Sequence, residues 1–162
     1  VSEMPNGATR RDVLKTGLGA AMGTIALPLI SRRAAAHFPD ELMIDIKPGC
    51  GRNPINPKSR GVIPVTVART EFEKDGSRVV FDPAERAVRY RFGAPDVVEQ
   101  GGGARPVHGG HIVDGDDHEI LVLHFPTQDA GFDGDESLGK LLWERDENGE
   151  HGYAGTDHVI VR

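Results

Sequence analysis

The chain has 162 residues, of which 38% are hydrophobic and 27% charged, with a net charge of −6 and a single cysteine. That length supports one hydrophobic core, and the acidic balance excludes nucleic acid as a partner, because neutralising phosphates takes a basic face. One cysteine excludes an internal disulfide, so a small domain of this kind must rest on its core or on bound metal.

The first segment reads as an export signal. Thr9-Arg10-Arg11-Asp12-Val13-Leu14-Lys15 carries the twin-arginine pattern: a polar residue, the Arg10 and Arg11 pair, any residue, two apolar residues and a lysine. Residues 16–30 are uncharged and mostly Gly, Ala, Leu and Ile. Ala34 and Ala36 then put small residues at both positions that a signal peptidase reads. The expectation is a twin-arginine signal peptide over 1–36, with a signal helix, presented to the twin-arginine translocase and cleaved after Ala36. A single domain over 37–162 would then be secreted or held at the cell surface. The competing reading is an uncleaved anchor, but the apolar run falls short of the ~20 residues that span a bilayer and contains Pro28. A lipoprotein needs a cysteine just after that run, and Cys50 lies well beyond it.

Past residue 36 the apolar pattern has period two. Leu42, Ile44 and Ile46 alternate with Met43, Asp45 and Lys47. Ile63, Val65 and Val67 alternate with Val62, Pro64 and Thr66, and Pro64 predicts an edge strand or a bulge. Val79-Val80-Phe81 is a short strand candidate. Val88, Tyr90 and Phe92 share one face, with Arg89 and Arg91 on the other. Residues 120–125 are apolar apart from His124 and predict a central strand, and 140–144 and 158–161 complete the set. Turn signals separate these runs, among them Asp75-Gly76 and Asn148-Gly149, the latter suited to a tight hairpin. Seven or eight short strands at this spacing predict an all-β fold, a β-sandwich of Ig-like or Greek-key type. Its core is expected to include Ile44, Ile46, Val65, Phe92, Val122 and Leu123.

From Asp114 onward there are thirteen acidic and three basic residues. Three readings stay open for this half: a solvated surface, cation binding, or adaptation to high salt. Calcium loops set oxygen ligands on alternate residues. Asp114 and Asp116 with Glu119, and Asp133 with Asp135 in a glycine-containing turn, have that spacing. They are the candidate metal ligands, for calcium; two polar turns are the alternative. His108-Gly109-Gly110-His111 has His118 and His124 nearby, but a two-glycine spacer does not fix the tetrahedron that zinc takes. No serine sits in a nucleophile elbow, no phosphate loop precedes a helix, and Cys50 has no histidine partner in sequence, so no catalytic residue is assigned.

The phrases Ile44-Asp45-Ile46-Lys47-Pro48-Gly49, Asn53-Pro54-Ile55-Asn56, Lys58-Ser59-Arg60-Gly61 and Ile63-Pro64-Val65 follow one another here. Later come Tyr90-Arg91-Phe92-Gly93, Pro106-Val107-His108-Gly109, Leu121-Val122-Leu123-His124-Phe125, Thr127-Gln128 and Gly134-Asp135-Glu136. In this order they resemble a module that recurs, sometimes in tandem, in secreted and surface proteins of bacteria and archaea. The resemblance spans about Ile44 to Val161 and implies an extracellular all-β module for binding or structure. It also implies a calcium-loop-like segment before Leu121, but Ile112 and Ile120 stand where that segment has its first and last acids, and Asp117 replaces its glycine. The functional expectation is an exported, non-catalytic binding or structural module, calcium being the candidate cofactor. The alternative is a small secreted hydrolase using carboxylates or a metal held by His108, His111, Asp114, Asp116 and His118. Convergence of those five side chains in a pocket would favour the enzyme, and their spread over an open face the module.

Overall fold

The computed structural model describes residues 36–162. Arg10, Arg11, Ala34 and the expected signal helix lie outside the described residues; Ala36 is exposed. Strand accounts for 46% of the structure and helix for 9%, which makes the fold all-β.

Among the described residues eleven strands form in chain order. They are β1 (Ile44–Ile46), β2 (Pro54–Ile55), β3 (Val62–Ala68), β4 (Thr70–Lys74), β5 (Ser77–Phe81), β6 (Tyr90–Gly93), β7 (His111–Asp114), β8 (Glu119–Pro126), β9 (Leu138–Glu144), β10 (Gly152–His158) and β11 (Ile160–Val161). One short helix, α1 (Pro95–Glu99), follows β6 with proline in its first turn, where the missing N–H costs nothing. Two sheets dominate: a four-stranded one in the order β1-β3-β8-β7 and a three-stranded one in the order β10-β9-β6, both antiparallel. β4 and β5 make a separate hairpin across Asp75 and Gly76, both at positive φ, the conformation a two-residue type I′ turn demands. β2 and β11 pair in parallel and tie the chain's end to the loop after β1.

Period two decides which side chains meet. On β3 and β8 the in-register pairs Ile63 with Phe125, Val65 with Leu123 and Val67 with Leu121 are all buried. From the three-stranded sheet, Tyr90, Phe92, Leu141, Trp143 and Tyr153 join the same apolar cluster. Phe92 and Phe125, with ring centroids 5.2 Å apart, link the two sheets, and Phe81 meets Trp143 edge-on at 5.0 Å.

Five sequence expectations are corrected. Val122 is half-buried, because it alternates with Leu121 and Leu123 and so stands on the other face of β8; Ile44 is half-buried at the core's margin. Pro64 lies on an interior strand rather than an edge. It is tolerated because its ring nitrogen faces Lys47, whose carbonyl instead accepts from Cys50 N at 3.0 Å. The Asn148-Gly149 turn belongs to a longer connection, residues 145–151, between β9 and β10. Finally, β10 begins at Gly152, well before the expected 158. A Cβ at Gly152 would lie 1.7 Å from the Trp143 carbonyl oxygen, so the pairing with β9 takes glycine, a residue that speaks against a strand in sequence.

Candidate functional site

The outward face of the three-stranded sheet is not left to solvent. Arg91, Leu142 and Ala154 lie in register across β6, β9 and β10 on the face opposite Tyr90, Trp143 and Tyr153. Val98 of α1 and Phe38 pack on Leu142 and Ala154 as a second apolar cluster. Beside it opens a cleft of about 640 Å³, within the range of small-molecule sites. Phe38, Val98 and Leu142 give it an apolar wall, Arg91, Arg105 and Glu144 a charged floor, and Glu99, Lys140, Glu147 and Glu150 further charged lining.

The floor is built around Glu144, the last residue of β9. Its side chain is 5% exposed and the Arg91 side chain 6%, so neither charge is solvated from outside. Arg91 Nε donates to Glu144 Oε1 at 2.5 Å, and its Nη1 donates to the Val98 and Gly102 carbonyls, both at 2.9 Å. Arg105, at 56% exposure, grips the same carboxylate end-on, Nη1 to Oε2 at 2.8 Å and Nη2 to Oε1 at 3.1 Å. Glu144 pairs in register with Gly152 on β10, where the Phe38 ring packs in place of a side chain from that strand. Two guanidiniums on one carboxylate leave one positive charge in excess, carried by the exposed Arg105. At the rim Lys140 Nζ meets Glu99 Oε1 at 2.6 Å. Sequence reading placed Arg91 on the outward face but missed the trio, since residues separated by 39 and 53 positions carry no spacing signal. The cue was local: an arginine between two core aromatics in Tyr90-Arg91-Phe92, and a glutamate directly after one in Trp143-Glu144.

The predicted metal ligands fall elsewhere and in two places. Asp114 and Glu119 are directly opposed across the β7–β8 hairpin, with Asp116 in its turn, all exposed. Asp133 and Asp135 sit in the exposed loop before β9, where the Glu136 carboxylate accepts from Asp133 N and Gly134 N. Among the described residues no group of three or more His, Cys, Asp or Glu is arranged to hold a metal ion. His108, His111 and His118 are exposed along the same hairpin and its approach, and none lines the cleft. His111 stacks on His124, ring centroids 5.8 Å apart.

The opening phrase from Ile44 to Gly49 builds a brace rather than a pocket. Asp157 Oδ2 accepts from Ile46 N at 2.9 Å and from Asn53 Nδ2 at 3.0 Å, while Asn53 Nδ2 also reaches the His158 carbonyl at 2.8 Å. Lys47 and Asn53 both take positive φ to make this turn. Partial burial, with the Asp157 charge nearby, raises the Asp45 carboxyl above its ordinary 3.8. A raised folded value means the charged form is disfavoured by folding. That penalty is complete above the folded pKa and gone below the unfolded one. Asp45→Asn is therefore expected to raise the melting temperature at neutral pH, with the gain vanishing below about pH 4; melts from pH 3 to 8 check it.

Among known proteins, no family model matches the chain, and neither a curated protein nor a solved structure matches it.

Proposed function

We propose that the chain is an exported, non-catalytic binding module of β-sandwich form, and that the Arg91–Glu144–Arg105 cleft is its ligand surface. The observation that carries this is the preorganised charged floor: two guanidiniums locked on one buried carboxylate beside an apolar wall. Such a floor orients a ligand without reorganising, which spares the entropy that binding otherwise costs. The residues that a hydrolase would use are spread over the β7–β8 hairpin and its approach, the arrangement expected of a module. Export in the folded state through the twin-arginine route suits a domain without disulfides, and the resemblance to extracellular modules agrees with it. The test has two arms. Purified protein is expected to release no product from chromogenic esters, glycosides or phosphate esters, and to gain thermal stability with a cleft ligand only while Leu142 is not replaced by Trp. Arg10→Lys with Arg11→Lys is expected to leave the protein unexported. Turnover that disappears in His111→Ala would instead establish the hydrolase.

Calcium remains part of the proposal as a stabiliser of the acidic hairpin. Like charges directly opposed across a strand pair repel, and a cation between Asp114 and Glu119 removes that repulsion. The expected result is a calcium-specific rise in melting temperature at constant ionic strength, absent from Asp114→Asn/Asp116→Asn. Binding to the folded state alone gives roughly 2.7 kcal/mol at a hundredfold excess over Kd. Equal melts in calcium, magnesium and matched monovalent salt would assign these acids to solvated surface.

A further inference from the structure

We propose that the cleft recognises a singly charged organic carboxylate with an apolar body, docked on the side edge of the Arg105 guanidinium. This rests on the cleft's being the ligand surface. A guanidinium offers two bidentate edges to a carboxylate, the end-on pair Nη1 and Nη2 and the side pair Nε and Nη2. Glu144 occupies the end-on edge of Arg105. Its Nε makes no hydrogen bond among the described residues, and Arg105 lines the cleft at 56% exposure, so the side edge is free to take a second carboxylate. Arg91 keeps that fork in place at one remove. Nine-tenths buried, it spends Nε on Glu144 and Nη1 on two carbonyls, and its Nη2 makes no hydrogen bond among the described residues. Arg91 and Glu144 thus neutralise each other, and Arg105 keeps one guanidinium edge for an added anion.

The rest of the lining narrows the class. Phe38, Val98 and Leu142 form an apolar wall that accepts a hydrocarbon or ring and would leave a small inorganic anion's surroundings unfilled. Glu147 and Glu150 line the cleft, and Lys140 is already paired to Glu99, so a second or third negative charge on the ligand meets repulsion rather than a partner. A dianionic phosphate or a polyanionic chain is selected against, while one carboxylate on an apolar body is matched at both ends. A free aromatic or aliphatic acid and the carboxyl terminus of a peptide share this chemistry.

The experiment is calorimetric titration of the full chain with phenylacetate, phenylacetamide and phenyl phosphate, and with an acetylated tripeptide ending in phenylalanine as free acid and as amide. Phenylacetate is expected to bind at least tenfold more tightly than phenylacetamide or phenyl phosphate. Arg105→Gln should remove that preference while leaving the fold intact, since Arg91 still neutralises Glu144, and Glu147→Gln/Glu150→Gln should narrow the gap to the phosphate. A tripeptide acid that outbinds phenylacetate identifies a peptide terminus as the source; the reverse order identifies a free acid. Acid and amide binding equally, with Leu142→Trp abolishing both, would overturn the carboxylate inference and leave the binding cleft standing. Phenyl phosphate binding more tightly than phenylacetate, or a preference unchanged in Arg105→Gln, would overturn the inference as well. Binding of neither acid nor amide would overturn both readings.

Discussion

Glu144→Ala is expected to destabilise the protein by about 3–5 kcal/mol, the scale for removing one partner of a buried ion pair. The loss is not of attraction alone. Arg91, with a side chain 6% exposed, would keep its charge among Val98, Leu142 and the sheet with only two carbonyls to face it. Arg105 is 56% exposed and would swing into water at little cost. Arg105→Ala is therefore expected to cost under about 1 kcal/mol, in the range of exposed pairs, although Arg105 and Arg91 bind the same carboxylate. Replacing Arg91 and Glu144 together with apolar residues of similar size should recover much of the loss, because no charge is then left buried. Urea unfolding followed by the fluorescence of Trp143, the single tryptophan and 4% exposed, reads all three variants. A loss for Glu144→Ala no larger than for Arg105→Ala would mean that the floor is wet and the pair is an ordinary surface contact.

Leu123→Ala is expected to cost about 2–5 kcal/mol, and Val122→Ala about 1 kcal/mol or less, although the two are neighbours in an apolar run. Leu123 is fully buried, faces Val65 in register on β3 and lies in the main cluster, so truncation leaves a cavity that rigid sheets cannot close. Val122 points the other way, pairing with Thr66 and His111 on a half-exposed face. The same urea titration separates them. Equal costs would mean that both faces of β8 are packed, as a continuous apolar run alone implies.

That pair of residues shows where reading the chain stops. Strand class and inward faces were legible wherever apolar and polar residues alternate, as from Ile63 to Val67, since side-chain direction follows from the two-residue repeat and needs no partner. Residues 120–125 were ambiguous because an apolar run has no polar phase to mark its faces. β10 was invisible because Gly152 and Gly155 carry no apolar signal and are demanded by close approach to Trp143 and Leu42. The positions of the acidic residues were likewise evident, but their spacing on alternate residues could not tell a wrapped loop from a hairpin. The register of Asp114 with Glu119 settled that locally as a hairpin. By itself, then, the sequence determined the all-β class, the core positions Ile46, Val65, Phe92 and Leu123, the Asp75-Gly76 turn and the acidic half, all of which are written in residues a few positions apart. Only the tertiary structure decided that Arg91, Arg105 and Glu144 meet. A charged side chain on a strand reads as solvent-facing until another element covers it, and here α1, the segment at Phe38 and the loop after β9 supply that cover from distant stretches of chain.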